Sequence, residues 1–505
     1  MSCMEDKLEY LKETKRLIKE KLIEHGADIS DETSFRNYPA AIESLMAPGT
    51  SGPLKTLFDA TGKTEYFMYN TTVDVDLSEV LFYDDTANVT SMKNMFYKTA
   101  QTSIPDMNTS KVTDMSYMFN GCGNLTNIPS LNTSQVTNFS NMFSSCKSLT
   151  SIPQLDTSKA TNVGSMFSYT TALTSIPELD LPAVSSLSYM FRDSGIKNVS
   201  LLNTSNVTNT SYMFTYSAVE GITSLDTSKV TNMESMFAYC DSLSTFPTVL
   251  DFSSATTTTY MCRNCTSLTS VPDLVMPKVT NVGMMFAGCS NLTNVGKITA
   301  NSLSNYNSMF QDCTSLVSAP EMSFPDGKSV LLESLFWGCT SLTDASAIDI
   351  TNVVSLYGTF GCCTALETTP SWDVRNVTYY DNIFTRCSNL KRCNFRNIRK
   401  SISFGDCTNL TIGSIINIIG ELVKSNGTYQ TLTLPSKFQD TLSNVMLVVV
   451  LEDGITDEML AEDDLAMSKY PITDWGYGEE FMYEHFDAWY LNSYMSTKGW
   501  EIRYY

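Results

Sequence analysis

The chain has 505 residues, of which 42% are hydrophobic and 17% charged, and 33 basic against 54 acidic side chains give a formal net charge of −21. Enough apolar surface is present to build a core, which excludes a disordered polymer. The acidic balance excludes a nucleic-acid-binding surface, because neutralising phosphates needs clustered Lys and Arg.

Length alone suggests roughly two to four domains, and four segments are expected. Residues 1–50 form a helical N-terminal anchor, 51–86 a connector and N-terminal cap, 87–410 a repeat solenoid, and 411–505 a C-terminal cap with an acidic, aromatic-rich insertion. In the first segment, Leu8, Leu11, Ile18 and Leu22 make one helical stripe over residues 6–25, and Gly26 stands as its stop. A second short helix is predicted near Pro39, carrying Ile42 and Leu45. Charges occupy the positions where a secretory signal needs an apolar stretch, so export by that route is not expected. The longest apolar run, residues 445–451, falls short of the ~20 residues that cross a bilayer, so no membrane span is expected.

From residue 95 onward one pattern governs the chain. Met-Phe recurs at Met95-Phe96, Met118-Phe119, Met142-Phe143, Met166-Phe167, Met190-Phe191, Met213-Phe214, Met236-Phe237, Met285-Phe286 and Met309-Phe310. Degenerate copies follow at Leu335-Phe336, Thr359-Phe360 and Ile383-Phe384, Met261-Cys262 fills a gap, and Phe404 opens a shortened last copy. The predicted fold is a β-rich α/β solenoid, a leucine-rich-repeat-like array of about fourteen ~24-residue repeats with a helical N-terminal element and an α+β C-terminal cap. Within a copy the apolar residues fall three apart, as in Val112, Met115 and Met118, then Phe119, Cys122, Leu125, Ile128 and Leu131. That spacing is neither the 2 of a strand nor the 3.6 of a helix, and it predicts a coil of short extended pieces and tight turns. Asn-Thr-Ser or Asp-Thr-Ser at 108, 132, 156, 203 and 226 supplies acceptors for Asx-type turns. One coil cannot bury its own apolar face, so the coils must stack.

Ten cysteines (122, 146, 240, 265, 289, 313, 339, 363, 387 and 407) stand three residues after the Phe position, where other copies carry Thr99, Thr170, Ser194 and Ser217. A position that takes Cys, Ser or Thr is read as a tight interior slot for a small side chain. One thiol per copy gives no paired ligand spacing, so neither a metal site nor disulfides are expected. Two residues before the Phe position lie Tyr117, Tyr189 and Tyr212, with Tyr260 in the Cys262 copy, while other copies carry mostly Asn or Ser. These tyrosines line up on one face, either as a row for glycan or receptor binding or as rings that cover the edge of the core with their hydroxyls in water.

After the array, residues 411–424 read as an amphipathic helix carrying Ile415, Ile418, Ile419 and Leu422, and Thr431 to Leu434 and Gly499 to Ile502 read as strands. The basic group Lys391, Arg392, Arg396, Arg399 and Lys400 is either solvated turn residues or a patch for an acidic partner. Residues 452–490 hold twelve acidic residues against one Lys, interleaved with Trp475, Tyr477, Phe481, Tyr483, Phe486 and Trp489, as either a solvated loop or a docking surface. Catalysis is not expected: the two histidines, His25 and His485, stand near no nucleophile signature, and Gly62-Lys63-Thr64 lacks the first glycine of a phosphate loop, since residue 57 is Leu. No cofactor is predicted.

A copy such as Leu225-Asp226-Thr227-Ser228-Lys229-Val230-Thr231-Asn232-Met233-Glu234-Ser235-Met236-Phe237-Ala238-Tyr239-Cys240 resembles the BspA-like leucine-rich repeat, over roughly residues 87–410. That resemblance implies a curved solenoid, usually on secreted bacterial surface proteins acting as adhesins. Leu11-Lys12-Glu13-Thr14-Lys15, Ile18-Lys19, Gly26-Ala27-Asp28-Ile29-Ser30-Asp31 and Phe35-Arg36-Asn37-Tyr38 are similar to an N-terminal element of virion proteins of tailed phages of gut bacteria. This second resemblance implies a non-enzymatic head- or tail-fibre or decoration component that attaches to the host surface. It would be anchored to other virion proteins through Leu8, Leu11, Ile18 and Leu22, expected as a homo-oligomer, and assembled in the host cytoplasm. The alternative is a bacterial cell-surface adhesin.

Overall fold

A computed structural model of the chain describes residues 67, 68, 70, 77, 81, 83–199, 202–325, 327–424, 430–439, 495, 496 and 498–504. The expected N-terminal helices with Leu8, Leu11, Ile18 and Leu22, the 452–490 insertion and both histidines lie outside these residues. The chain divides into two units, Met1–Lys229 and Val230–Tyr505. Each is a stack of rungs, and each rung is one copy of the repeat.

The three-residue spacing has a simple origin. Val112 N–H donates to Thr109 O, Met118 to Met115, Cys122 to Phe119 and Leu125 to Cys122, at 3.1 to 3.2 Å. Each is a four-residue turn closed from residue i to i+3, so the two ends face inward, and most middle residues face out, with Ser116 a buried exception. Val112, Met115, Met118, Phe119, Cys122 and Leu125 are accordingly excluded from solvent altogether. Met118 and Phe119 are adjacent and both buried because two turns abut there.

The remaining backbone donors reach the next rung. Met92, Asn94, Phe96 and Lys98 N–H donate to Asp114, Ser116, Met118 and Asn120 O at 2.9, 3.1, 2.9 and 2.7 Å, while Met95, Tyr97 and Thr99 N–H close the turns within the rung. Alternate donors thus hold the stack and the coil, and the polar backbone is satisfied without long strands.

Each rung also bends twice through left-handed backbone. The residue two before the Phe position has φ between +52° and +60°, as at Asn94, Tyr117, Ser165, Tyr189, Ser334 and Gly358. The residue two after it is also left-handed, as at Lys98, Gly121, Ser145, Tyr169 and Asp312. These are the third residues of turns that need φ > 0 there.

Strand is sparser than a β-rich solenoid implies. Among the described residues of the first unit only β1 (Asn198–Val199) and β2 (Gly221–Ile222) pair as strands. In the second, β3 (Ser270–Val271), β4 (Leu274–Val275), β5 (Asn294–Val295), β6 (Ile298–Thr299), β7 (Met322–Ser323), β8 (Val330–Leu331) and β9 (Val353–Ser355) form short parallel pairs across rungs. Elsewhere rungs meet through single parallel bridges such as Ser91 to Asp114 and Asp114 to Asn138. The turns leave no room for longer pairing.

Side chains finish the stack in columns. In the first unit the rings of Phe96, Phe119, Phe143, Phe167, Phe191 and Phe214 stack at 5.4 to 5.7 Å with planes within 12°. In the second, Phe286, Phe310, Phe336, Phe360 and Phe384 do the same at 5.7 to 6.1 Å. At the turn sequences, Asn108, Asn132, Asp156, Asn203 and Asp226 each accept through Oδ1 from the N–H two residues on, at 2.9 to 3.3 Å. The Thr that follows reaches ahead, as Thr109 Oγ1 donates to Asn132 O at 2.9 Å and Thr204 Oγ1 to Asp226 O at 2.8 Å.

The cysteine position is more than a small slot. Cys122 Sγ donates to Phe96 O at 2.9 Å, Cys146 to Phe119 O at 3.0 Å, Cys313 to Phe286 O at 3.2 Å and Cys387 to Phe360 O at 2.9 Å. Each thiol donates to the carbonyl of the rung before. Burial pushes the thiols of Cys146, Cys262, Cys289, Cys313 and Cys363 well above the ordinary value, and those of Cys387 and Cys393 up to about 12. A thiolate there would be cut off from water, and the nearby donors, such as Thr369 and the Phe395 backbone beside Cys393, do not offset that loss.

The second unit ends in mixed structure. Helix α1 (Ile412–Gly420) is capped by Thr411, whose Oγ1 accepts from Ser414 N–H at 3.2 Å, and it buries Ile415, Ile418 and Ile419. It stops four residues short of the predicted end because Val423 N–H turns back to Ile398 O at 2.9 Å. Strands β10 (Ile402–Ser403), β11 (Gln430–Leu434) and β12 (Trp500–Tyr504) form a parallel sheet in that order. Phe404 N–H donates to Thr433 O at 2.8 Å, and buried Trp500 donates through Nε1 to Val423 O at 2.9 Å. The open face of the last rung is thereby paired and covered.

Candidate functional site

In several rungs the buried columns leave three positions at least partly outside, the two left-handed residues and the one directly after the Phe, although small residues such as Ser144, Ser168, Ala238, Ser235 and Ser308 are buried there. Tyr117, Tyr189, Tyr212 and Tyr260 occupy the first of these positions at φ +57° to +59°. Tyr is a costly choice at ~1–2 kcal/mol relative to Gly. The structure brings Tyr189 and Tyr212 together, with ring centroids 4.8 Å apart and planes within 4°. Tyr117 stands apart, 36% exposed, separated from them by the rungs that carry Asn141 and Ser165. Tyr260 belongs to the second unit.

Other members of this surface were not singled out in the sequence. Tyr169 and Tyr216 in the first unit and Tyr239 in the second occupy the other left-handed position, at φ +60° to +61°. Arg192 and Arg263 follow the Phe position directly. The Arg192 guanidinium lies 5.5 Å from the Tyr169 ring centroid and 5.8 Å from that of Tyr189. In the second unit Arg263 lies 5.8 Å from Tyr239 and 5.5 Å from Tyr260. The two groups have the same register: a Tyr from the preceding rung, then a Tyr and an Arg three residues apart on the next. The signal in the sequence was the offset of these residues from the Phe position, which periodic alignment of every column would have exposed.

The basic group at the end of the array is partly engaged, with Lys391 Nζ 3.1 Å from Glu367 Oε1. Among the described residues no group of three or more His, Cys, Asp or Glu could hold a metal ion, and no helix is long and apolar enough to cross a membrane.

A family profile described as "Mycoplasma protein of unknown function, DUF285" matches residues 65–178, 169–274, 215–323 and 304–404. No curated protein matches the chain. Among solved structures, a leucine-rich repeat protein from Bacteroides ovatus is 19% identical, covering 67% of this chain and 88% of its own, with a TM-score of 0.39. A leucine rich cell surface protein from Faecalibacterium prausnitzii is 20% identical, covering 68% and 82%, with a TM-score of 0.32. The functional domain of InlJ from Listeria monocytogenes, described as including a cysteine ladder, is 14% identical, covering 70% and 76%, with a TM-score of 0.16. At identities and scores this low, the family match is the finding that classifies the chain.

Proposed function

The chain belongs to the DUF285 family, and from the surface its rungs display we propose that it is a non-enzymatic recognition protein that binds glycans through its surface tyrosines. The carrying observation is the Tyr189 and Tyr212 pair, two half-buried rings stacked at 4.8 Å on left-handed residues. Flat, pre-positioned rings pack on sugar faces at little entropic cost, and the Ser, Thr and Asn that dominate the remaining surface exchange hydrogen bonds with hydroxyls. Tyr117 and Tyr260 extend the same reading to their own rungs. A glycan array probed with the wild type and the Tyr189→Ala, Tyr212→Ala double variant tests it. Loss of binding in the variant is expected, and binding unchanged by the double substitution would remove these tyrosines from the site.

Such a protein belongs on a surface that meets other cells, and a bacterial cell-surface adhesin is one such place. Protease shaving of intact cells releases the chain if it is displayed there. A second reading puts it on a phage virion as a fibre or decoration component, and the phage-like run at residues 11–38 favours it. In that reading Leu8, Leu11, Ile18 and Leu22 contact other virion proteins. Deletion of residues 1–50 would then abolish incorporation while leaving the solenoid folded, and purified virions lacking the full-length chain by mass spectrometry would refute the location.

A further inference from the structure

Two arginines of the described surface each lie against two tyrosine rings. Some cations on this acidic chain find carboxylates: Lys197 pairs with Glu220 at 2.8 Å, Lys391 with Glu367 and Arg503 with Glu501 at 3.1 Å, and Lys297 and Arg375 with Glu321 and Asp373, while Lys111, Lys159 and Lys229 donate to the amide oxygens of Asn88, Gln135 and Asn206. Arg192 and Arg263 have no hydrogen-bond or ion-pair partner for their guanidinium groups among the described residues. Tyrosine rings hold them instead, at 5.5 and 5.8 Å in both cases. The same three-residue constellation occurs once in each unit, at the same offsets from the Phe position.

A guanidinium bracketed by two rings is fixed in place while its charge stays uncompensated. Arg presents a planar fork of donors that matches a carboxylate bidentately, and the ring contact restricts the fork without using its hydrogen bonds. Each fork lies among the tyrosines on which the glycan reading rests. Resting on the glycan-binding reading above, we propose that Arg192 and Arg263 each read the carboxylate of an acidic sugar, so that the preferred ligand is a glycan bearing uronate or sialate-type residues. Complementary charge favours this ligand over a neutral one: the chain is strongly acidic overall, and an acidic glycan gains only where a positive group is left unpaired. The rings favour a sugar over an acidic peptide, whose carboxylates would use the forks and leave the ring faces uncovered.

The test uses the full-length chain, an oligogalacturonate, the same oligosaccharide after reduction of its carboxyl groups, and poly-glutamate, with binding followed by titration calorimetry, together with an array of neutral, sialylated and sulfated glycans. At least tenfold tighter binding of carboxylate-bearing glycans than of their neutral counterparts is expected, weakening as salt is raised. Arg192→Gln with Arg263→Gln should remove that preference and leave residual neutral binding, at an unchanged melting temperature. Arg192→Lys with Arg263→Lys keeps the charge and loses the fork, so it should recover only part of it. Glycan binding with no carboxylate preference, or a preference unaffected by the Gln pair, would overturn this inference and leave the glycan reading standing. Binding confined to sulfated glycans, or poly-glutamate bound as tightly as the oligogalacturonate, would also overturn it. Failure to bind any glycan would remove both.

Discussion

Replacing Phe119 with Ala tests the stacking scheme most directly. Its ring is fully buried between Phe96 at 5.6 Å and Phe143 at 5.7 Å, with planes within 9° and 12°. Truncating a buried Phe costs about 3–5 kcal/mol in transfer and cavity terms. Each lost ring contact contributes about 0.5–1.5 kcal/mol beyond burial. Collapse of the hole is limited, because the inter-rung bonds from Phe96 N–H to Met118 O and from Phe119 N–H to Met142 O fix the rung spacing. A loss at the upper end of the range, about 5 kcal/mol, is therefore expected by urea denaturation followed by circular dichroism. The column also predicts who couples to whom. Phe119→Ala with Phe143→Ala should deviate from additivity by at least about 0.5 kcal/mol, whereas Phe119→Ala with Phe191→Ala should add within about 0.5 kcal/mol, since two rungs intervene. A single-variant loss under about 1 kcal/mol, or equal coupling in the two pairs, would refute the nearest-neighbour reasoning.

Alkaline titration should reveal the thiol column. The folded-state values are raised, so the stability they contribute is whole below the ordinary thiol range near 8.5 and declines above it, as the unfolded chain loses protons that the folded chain retains. Each such thiol steepens the fall by about 1.4 kcal/mol per pH unit, and for Cys387 the window closes only near 12. Cys146→Ser, which keeps a donor and moves the titration out of range, should flatten the decline measured by denaturation between pH 8 and 10; an unchanged slope would contradict it. Ser165, at φ +56°, tests the left-handed position: Ser165→Val should be less stable than Ser165→Gly by about 1–3 kcal/mol in thermal unfolding, and equal stability would mean that the backbone there is not constrained as described.

The coil was legible because its cause is local. A turn closed between residues three apart puts both ends inside, and the spacing of Val112, Met115 and Met118 records that geometry directly. The acceptors at Asn108, Asn132 and Asp156 were legible for the same reason, since an Asx turn is made within three residues. The thiol bond was read incompletely. The position takes Cys, Ser and Thr but never Ala. The cysteines there donate to the rung before, whereas Thr170 Oγ1 donates to Phe167 O of its own rung and Ser194 Oγ is buried without a partner among the described residues. The inter-rung bond therefore belongs to the thiol and is not a common property of the position. The Arg192 bracket was not legible from one copy of the repeat, because Tyr169 and Tyr189 lie on different rungs and only stacking places a guanidinium over both. The left-handed positions were masked by the tyrosines themselves. Gly121, Gly288, Gly338 and Asn264 advertise positive φ, but Tyr189 and Tyr212 conceal it.

The two left-handed bends in each rung also bear on how such a chain can change over generations. Where these residues reach the surface they stand outside the buried columns and vary from copy to copy: the first bend alone carries Asn, Tyr, Ser, Met or Gly. A mutation there can alter what is recognised with little penalty in foldability beyond the local backbone cost. Duplicating a rung multiplies a successful combination without inventing a new one. The scaffold thus separates inheritance of the fold from exploration of its ligands, and relatives with the same interior are expected to differ most at these three positions.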